Sequence, residues 1–580
     1  MVDEIKEEQT PQSFHGGDAL VRALHAEGVD HVFGIPGGEF LPFLEALDRW
    51  GVSNGMHYVN VRNETAAAHM ADAYARVTGK PAVCCGTVGP GFANLIPGIV
   101  TAAWDNIPMV VIHPQQGPKF DDQHRFQGGL DQLGMLRQIV KYQKHESNPN
   151  RVVVTVQKAF KELTAGRPRP VQLEFREDAM WGAVEDYGMR ILKPSQYRAI
   201  APPAGNPETI KVACDLLMKA QKPLIVSGGG VLASNSWDAL RKLSLGHRIP
   251  CITTDMGTGT MSSNHETFIG TTISAGGAQK AARECDFVLL LGTKLGFDMA
   301  YGKAPIWNAD ARAVQVDIDP FMIGKNRPVD LGILGDAGVV LGQLNEELER
   351  RGAKDLSAPA WLPALKKERE LAIQTLKAKF ESTKTPIEPH RLIADLTTFM
   401  NPDDVLCVDG GDIAVLVMND IDFLKHREPR TVLRSSALGM LGTCIPYAIG
   451  AKLGKPGKRV FSITGDGSFL FHVQELDTAI KYCLPFVIVI ADNCKWGMIA
   501  NREKSDFKKR DPFCVDLCSN YVSIAKGFGC YAERVEDPAQ IKPALQRAVD
   551  SELPAVLQVP IKFVTPPGTT ILQSFGNLKF

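Results

Sequence analysis

The chain has 580 residues, more than one core usually supports and enough for three domains of ordinary size. Its composition is that of a globular protein, 44% apolar and 22% charged. A formal net charge of −1, with no basic or acidic block, argues against a nucleic-acid partner and against an anionic membrane surface.

The first 17 residues are polar and acidic, with neither the apolar core of a signal peptide nor the Arg-rich character of a transit peptide. No apolar run approaches the ~18 residues that a membrane-spanning helix needs. The twelve cysteines show no zinc-site spacing, and Cys514 and Cys518 are isolated. Cys84, Cys85 and Cys407 sit inside apolar runs, where a thiol behaves as a small hydrophobe. Reduced thiols and a cytoplasmic enzyme are expected.

Short apolar runs recur between helix-length segments: first at 31–35, 81–85, 108–113 and 170–174, next at 223–227, 286–292 and 312–318, last at 404–408, 459–464, 485–491 and 554–559. Runs that are apolar throughout suit strands buried on both faces, hence parallel sheets covered by helices. The expected fold class is α/β, with three doubly wound parallel-sheet domains at 14–180, 206–352 and 386–563. One boundary runs through the Pro-containing stretch 180–207. The other follows a charged helical stretch, 341–351, and extends to about Pro389. The outer domains both end on a proline and a short β run, Pro170-Val171-Gln172-Leu173 and Pro554-Ala555-Val556-Leu557. If this echo is more than chance, they share one plan.

The most informative stretch is 459–499. The strand at 460–464 ends in Gly465-Asp466-Gly467-Ser468, and the strand at 486–491 ends in Asp492-Asn493. Asp466 and Asn493 thus stand at the carboxyl ends of strands, the edge where open α/β sheets bind ligands. The glycines let backbone N–H groups approach an anion, and a helix after Ser468 would offer its N-terminus to a phosphate. Mg²⁺ takes hard oxygen ligands, commonly one or two protein groups beside phosphate oxygens and water. The Asp466 carboxylate, the Asn493 amide oxygen and a backbone carbonyl near Lys495 would serve.

Gly465-Asp466-Gly467, followed by an Asn after a second apolar strand, resembles the motif of thiamine-diphosphate-dependent enzymes. The resemblance implies that Asp466, Asn493 and the carbonyl at Lys495 hold Mg²⁺ against the diphosphate, beside Gly465, Gly467 and Ser468. Asp492 stands where the family often has a first Asn, a position that is not a metal ligand. Upstream, Leu438-Gly439-Met440-Leu441-Gly442-Thr443 reads by itself as a Gly-rich turn into a helix over 447–452. The resemblance implies that Leu441 wedges under the cofactor and bends it, and that Gly439 offers its carbonyl to the 4′-amino group. Asp409-Gly410-Gly411-Asp412 resembles the second diphosphate loop, with Asp412 as a cofactor contact. Gly497 and Met498 follow the metal loop as further cofactor contacts, and Met498 and Ile499 resemble the apolar wall. Trp496 reads as packing.

Thiamine chemistry needs a carboxylate at the pyrimidine N1′, so that the 4′-nitrogen can take the C2 proton. Arg62-Asn63-Glu64-Thr65-Ala66-Ala67-Ala68-His69 is helix-prone, with Asn63 as N-cap. Alone, Glu64 would complement the helix dipole. The segment resembles the family's relay helix, and Gly86-Thr87-Val88-Gly89-Pro90-Gly91 its accompanying loop, which implies that Glu64 is the relay. The resemblance spans roughly 14–560, and 32–38 and 86–94 look most like the acetolactate synthase and pyruvate oxidase branch. It makes 14–180 the pyrimidine domain, 206–352 the middle domain and 386–563 the diphosphate domain. It also implies a cofactor shared between the pyrimidine domain of one subunit and the diphosphate domain of another, hence a homodimer or homotetramer.

The substrate pocket is less legible. Glu39, after Pro36-Gly37-Gly38, reads equally as a proton relay at the reacting carbon and as a solvated helix-start charge. Gln127, in His124-Arg125-Phe126-Gln127, resembles the Phe-Gln of acetolactate synthases. His113, Gln115 and Gln116 are weaker candidates, and a lone His at a strand end is more often structural. Gly228-Gly229-Gly230 follows a middle-domain strand; relatives bind FAD or ADP there, but three glycines read better as a plain turn.

The leading expectation is a thiamine-diphosphate- and Mg²⁺-dependent lyase or carboligase, acetolactate synthase-like, acting on small molecules: 2-oxo acids, acyloins or aldehydes. The alternatives are a 2-hydroxyacyl-CoA lyase or oxalyl-CoA decarboxylase type, and a catalytically silent nucleotide-binding relative. The presence of Glu64, Asp466 and Asn493 together speaks against the silent one. Acetolactate synthases carry Trp where this chain has Arg502, and an Arg near the position of Met299. Weak acetolactate formation is therefore expected, with Arg502 either gripping an anionic substrate or facing solvent.

Overall fold

A computed structural model describes residues 14–123, 125–272, 276–507, 512–514 and 518–566. The first thirteen residues and His124 lie outside the described residues. The first sheet comprises β1 (His31–Gly34), β2 (His57–Asn60), β3 (Ala82–Cys85), β4 (Met109–Gln115), β5 (Tyr142–Glu146) and β6 (Val171–Arg176). The second comprises β7 (Pro223–Ser227), β8 (Cys251–Thr253), β9 (Phe268–Thr271), β10 (Phe287–Leu291), β11 (Arg312–Asp317) and β12 (Leu331–Leu334). The third comprises β13 (Val405–Val408), β14 (Val432–Arg434), β15 (Val460–Gly465), β16 (Val487–Asp492), β17 (Tyr531–Arg534) and β18 (Ala555–Pro560). Every pairing within these sheets is parallel.

The strands are apolar throughout because helices cover both faces. In β4, Val110 and Ile112 enter a core shared with the helices Gly16–Ala26 and Val152–Thr164. Met109 and Val111 alternate to the other face. Each such fully buried aliphatic side chain contributes ~1.5–3 kcal/mol relative to exposure. The second sheet has separate cores on its two faces, and the third centres on Phe461, Ile463, Val487 and Val489.

Strand order is β2-β1-β3-β4-β6-β5 in the first sheet and β14-β13-β15-β16-β18-β17 in the third, the same order position for position. The two proline-led runs are β6 and β18, equivalent strands, so the echo in the sequence reflects a shared plan. The second sheet runs β9-β8-β7-β10-β11-β12, the order of dinucleotide-binding folds. Order reverses between β1 and β3, between β7 and β10, and between β13 and β15. Loops at the carboxyl ends of those pairs flank the crevices where α/β sheets take ligands.

Some expectations need correction. Seven strands went unseen, and six of them, β2, β5, β9, β12, β14 and β17, lie at sheet edges. Most of these edge strands are only half-buried, so they lack the continuous apolar run of a central strand. The stretch after 351, taken as a boundary, holds a 20-residue helix, Trp361–Phe380, anchored through Trp361, Leu362 and Leu365. Its charged remainder hides those anchors. The helix expected after Ser468 is broken: a single turn, Asp466–Phe469, precedes a 3-10 turn and a separate helix, Glu475–Lys481. The helix expected over 447–452 begins earlier, at Cys444, since Pro446 is tolerated in a first turn.

The chain divides into two compact units, one of residues 1–75 and 80–200, the other of 76–79 and 201–580. Among the described residues, no helix is long and apolar enough to cross a membrane.

Candidate functional site

In the third sheet, the loops after β13, β15 and β16 gather four acidic side chains that are almost wholly buried: Asp409, Asp412, Asp466 and Asp492. Asp409 is a clamp. Its Oδ1 accepts the Gly410 N–H at 2.6 Å. Its Oδ2 accepts the Gly442 and Cys444 N–H groups at 3.1 and 3.2 Å and the Thr464 hydroxyl at 3.3 Å. That carboxylate ties the turn carrying Gly439 and the half-buried Leu441 to the ends of β13 and β15. Burial outweighs these bonds and pushes the Asp409 carboxyl up to about 6.

Asp466 and Asn493 come together as expected. Asp466 Oδ2 and Asn493 Oδ1 accept from one backbone N–H, that of Lys495, at 3.2 and 3.0 Å. Asp466 Oδ1 takes the Gly467 N–H at 2.8 Å. Lys495 thus meets both side chains through its N–H. Burial, opposed by the Gly467 bond and reinforced by the Asp492 carboxylate, pushes Asp466 up to about 7. A Cβ on Gly467 would lie 2.6 Å from the Trp496 ring, so glycine is required there and Trp496 is a packing residue. Ser468 is buried in the same turn, directly after the Gly465 end of β15.

Asp412 opens the helix Asp412–Leu424. Its Oδ2 accepts from Asn501 Nδ2 at 2.8 Å, and Asn501 also meets the Val564 carbonyl and the Thr565 hydroxyl. Its Oδ1 is buried without a partner among the described residues, and burial pushes this carboxyl up to about 7. Gly497 begins the helix Gly497–Phe507, Met498 packs on Gly411, and Ile499 is exposed.

These groups fit a divalent cation with an anionic ligand. They offer hard oxygens, crowded negative charge and one orphaned carboxylate oxygen. Among the described residues, no cluster of three His, Cys, Asp or Glu side chains forms a metal cage. A cation held by Asp466 and Asn493 would therefore complete its shell from backbone, ligand or water oxygens, the habit of Mg²⁺.

The expectation of reduced thiols fails at this loop. Cys494, between Asn493 and Lys495, forms a disulfide with Cys518. The pairing joins positions 24 residues apart, and neither carries a local signal of it. Among the described residues, nine other cysteines are free, eight of them buried.

In the first sheet, the Glu64 and Glu39 side chains and the Gln127 backbone gather around the Gly86–Gly91 loop after β3. Glu64 begins the helix Glu64–Thr78 and is buried. Asn63 caps it through the Thr65 N–H at 2.9 Å, as expected. Asn94 Nδ2 donates to Glu64 Oε2 at 3.0 Å, while Oε1 would lie 3.2 Å from a Cβ on Gly91. Glu39 Oε2 accepts the Thr87 hydroxyl at 3.3 Å. The Gln127 carbonyl lies against Gly89, whose φ of 72° favours glycine.

His113 is fully buried between Gln172 and the Phe92 ring, and burial pushes its imidazole down to about 4, consistent with a structural role. Gln115 Nε2 donates to the Leu130 carbonyl at 3.3 Å and to Glu174 Oε2 at 3.5 Å, whereas Gln116 bonds locally, to Gln115 and Phe120. Asn94, Asn501 and the Asp409 clamp were not anticipated as site residues. Their partners lie tens of residues away, so the only prior signal was a polar residue in apolar surroundings.

The second sheet gives the glycine run a packing role. Gly228 and Gly230 press on Gly292 at the β7/β10 crevice. Met299 is buried in the core, with its carbonyl taken by the Trp307 indole at 2.8 Å. Arg502 faces solvent, its side chain 74% exposed, and pairs with Asp506 one helical turn on.

Three family matches cover most of these elements. Residues 14–135 match the thiamine pyrophosphate enzyme N-terminal TPP binding domain, 210–344 the central domain, and 412–559 the C-terminal TPP binding domain. The chain is 34% identical over 576 residues to the probable acetolactate synthase large subunit of Methanocaldococcus jannaschii, covering 96% of this chain and 95% of that one. It is 33% identical to that of Methanococcus aeolicus, with 96% and 94% covered. It is 32% identical to the acetolactate synthase large subunit of Corynebacterium glutamicum, with 93% and 85% covered. These relatives do not favour the CoA-dependent or the silent reading. The chain belongs to the thiamine pyrophosphate enzyme family, on its acetolactate synthase-like branch, and is a thiamine-diphosphate-dependent carboligase.

Proposed function

We propose that this carboligase takes a 2-oxo acid as donor and an aldehyde or ketone as acceptor, with Mg²⁺ and thiamine diphosphate bound. The balance is one C–C bond broken with loss of CO₂, one C–C bond formed to the acceptor carbonyl, and one proton taken up. The cofactor supplies an electron sink beside the reacting carbon. Asp466, Asn493 and the Lys495 carbonyl would hold the metal. Asp412, Gly465, Gly467, Ser468 and Gly497 would bind the diphosphate, and Gly439, Leu441 and Met498 the rings. Glu64 would hold a proton at the pyrimidine N1′, with Asn94 fixing one of its oxygens. Glu39 and Gln127 manage the proton and carbonyl oxygen of the substrate.

The observation that carries this reading is the meeting of Asp466 and Asn493 at one N–H, among buried carboxylates at the β13/β15 switch point. The reading includes a homodimer or homotetramer, following the family's shared cofactor site. It also includes a cytoplasmic setting, supported by nine cysteines that remain thiols among the described residues. FAD is left out, because the Gly228–Gly230 run is used in packing. The test is CO₂ release and product analysis with thiamine diphosphate, Mg²⁺ and a panel of 2-oxo acids, each with and without an aldehyde. Coupled CO₂ release and a new hydroxyketone are expected. Neither product from any donor overturns the reading.

A further inference from the structure

Gln132 lies 1% exposed at the start of the helix Gln132–Leu136, outside every motif discussed above. Its side-chain amide is fully used. Nε2 donates to the Pro114 carbonyl at 3.1 Å and to Glu174 Oε2 at 3.0 Å. Oε1 accepts the Gly89 N–H at 2.9 Å. Both partners on the nitrogen side are acceptors only, so the amide has a single workable orientation. Its backbone carbonyl also takes a bond from Gln172, at 3.1 Å.

Behind Gln132 stands a second pair. Glu174 on β6 accepts from His145 Nδ1 at 2.7 Å, across the β5–β6 pairing. Glu174 is buried, whereas the His145 side chain reaches the surface, 38% exposed. Burial would raise the Glu174 carboxyl, but the bonds from His145 and Gln132 outweigh it and hold it below the usual range. An ionised carboxylate only accepts, which keeps Gln132 turned towards Gly89.

What Gln132 holds is the hub of the first-sheet half-site. Gly89 touches the Gln127 carbonyl, Thr87 bonds Glu39, and Gly91 faces Glu64. A Gly89 N–H left buried without an acceptor is unfavourable, so the loop would move. Glu64 has support of its own, from Asn94 and its helix.

We propose that Gln132, anchored by the Glu174–His145 pair, is a positioning residue for carboligation: it fixes Gly89 and so sets Glu39 and Gln127 against the substrate. The inference rests on the roles given to those two residues under the proposed function. It separates two steps that share the same loop, because cofactor activation depends on Glu64 and bond formation on Glu39 and Gln127.

The test compares Gln132→Met with Glu174→Gln, which takes from Gln132 its acceptor-only partner. Three quantities are read in the full-length enzyme: amide hydrogen exchange over 86–91, C2–H/D exchange of bound thiamine diphosphate, and kcat and KM with a 2-oxo acid and an aldehyde. Gln132→Met is expected to speed amide exchange by ~10-fold or more and to lower kcat by ~10–10²-fold, the scale of a displaced catalytic group. C2 exchange should stay within ~3-fold of wild type, and Glu174→Gln should speed amide exchange and lower kcat in the same direction as Gln132→Met, by ~3-fold or more. Unchanged amide exchange or unchanged kcat in Gln132→Met overturns the inference. So does C2 exchange that falls in step with kcat, which would mark a general structural loss. Should Gln132→Met fail to fold, Glu174→Leu takes its place, with the same outcomes expected. If wild type itself turns over no 2-oxo acid, the proposed function falls, and amide exchange alone decides whether Gln132 anchors the loop.

Discussion

The first and third sheets share one strand order and present opposite chemistry at equivalent places. After β1 and β3 stand Glu39 and the neutral Gly86–Gly91 loop; after the equivalent β13 and β15 stand Asp409, Asp412 and Asp466. Near the end of β4 lies a buried neutral imidazole, His113; at the end of β16 lie Asp492 and Asn493. Topology therefore fixes where a ligand sits, and a few side chains decide which ligand. The third sheet concentrates buried negative charge and so suits a metal with a diphosphate. The first offers Glu64, a buried acid held by Asn94 beside a neutral glycine loop, and so suits proton handling at an aromatic ring.

The sharpest way to break this contrast is to remove its centre. Asp466→Ala is expected to weaken thiamine diphosphate binding by more than ~10²-fold and to abolish its Mg²⁺ dependence, while the unfolding profile without ligands is kept. Isothermal calorimetry with and without Mg²⁺ reads both. Wild-type affinity in the variant would show that the carboxylate cluster does something else. Glu64→Gln addresses the other sheet. Cofactor affinity should change little, while C2–H/D exchange by NMR should slow ~10²–10⁴-fold, the usual cost of losing a positioned acid–base group. An unchanged exchange rate would dismiss Glu64 as the relay.

Much of this contrast was legible in the sequence, for definite reasons. The buried central strands announced themselves as apolar runs, and the residues at their ends, Asp466, Asn493 and Glu64, followed from motif spacing. The proline-led runs even betrayed the shared plan. Edge strands such as β2 and β17 were not legible, because a half-buried strand needs no apolar run. Nor were Asn94, Asn501 and Gln132, whose importance lies in partners distant along the chain. The Cys494–Cys518 bond belongs to the same class, since only the fold brings its ends together.

The contrast also predicts opposite responses to pH in ligand-free protein. His113 is pushed down to about 4 by burial, so the unfolded chain takes up that proton first. Its contribution is complete above pH ~6.5 and is lost as pH falls through 4. Asp409 is pushed up to about 6 by burial, so the folded state takes up that proton first. Its contribution is complete below pH ~3.8 and is lost as pH rises through 6. Each amounts to about 3 kcal/mol at most. Hydrogen exchange in β4 and β13, corrected for intrinsic rates between pH 4 and 7, should therefore show slopes of opposite sign. His113→Asn should flatten the first and leave the second. Parallel slopes in the two strands would mean that other groups dominate.

The smallest expected effect concerns Arg502, a cation just beyond the metal loop. If it grips an anionic substrate, the third sheet binds substrate as well as cofactor, and the division of labour between the sheets blurs. The geometry favours solvent. The side chain is 74% exposed and is engaged by Asp506 at 3.3 Å, a pair one helical turn apart that is worth ~0.3–0.5 kcal/mol. Met299, the other position compared with acetolactate synthases, is sealed in the core and cannot stand in for an Arg. A second 2-oxo acid, which brings a carboxylate, therefore finds no bidentate partner from either position. Pyruvate as both donor and acceptor should give acetolactate more slowly than a mixed reaction with an aldehyde. Arg502→Ala should change KM for any 2-oxo acid by less than ~3-fold. Turnover on pyruvate alone near the ~10 s⁻¹ typical of enzymes would defeat the first expectation. A tenfold rise in KM for the variant would defeat the second and give the third sheet a direct hand in substrate binding.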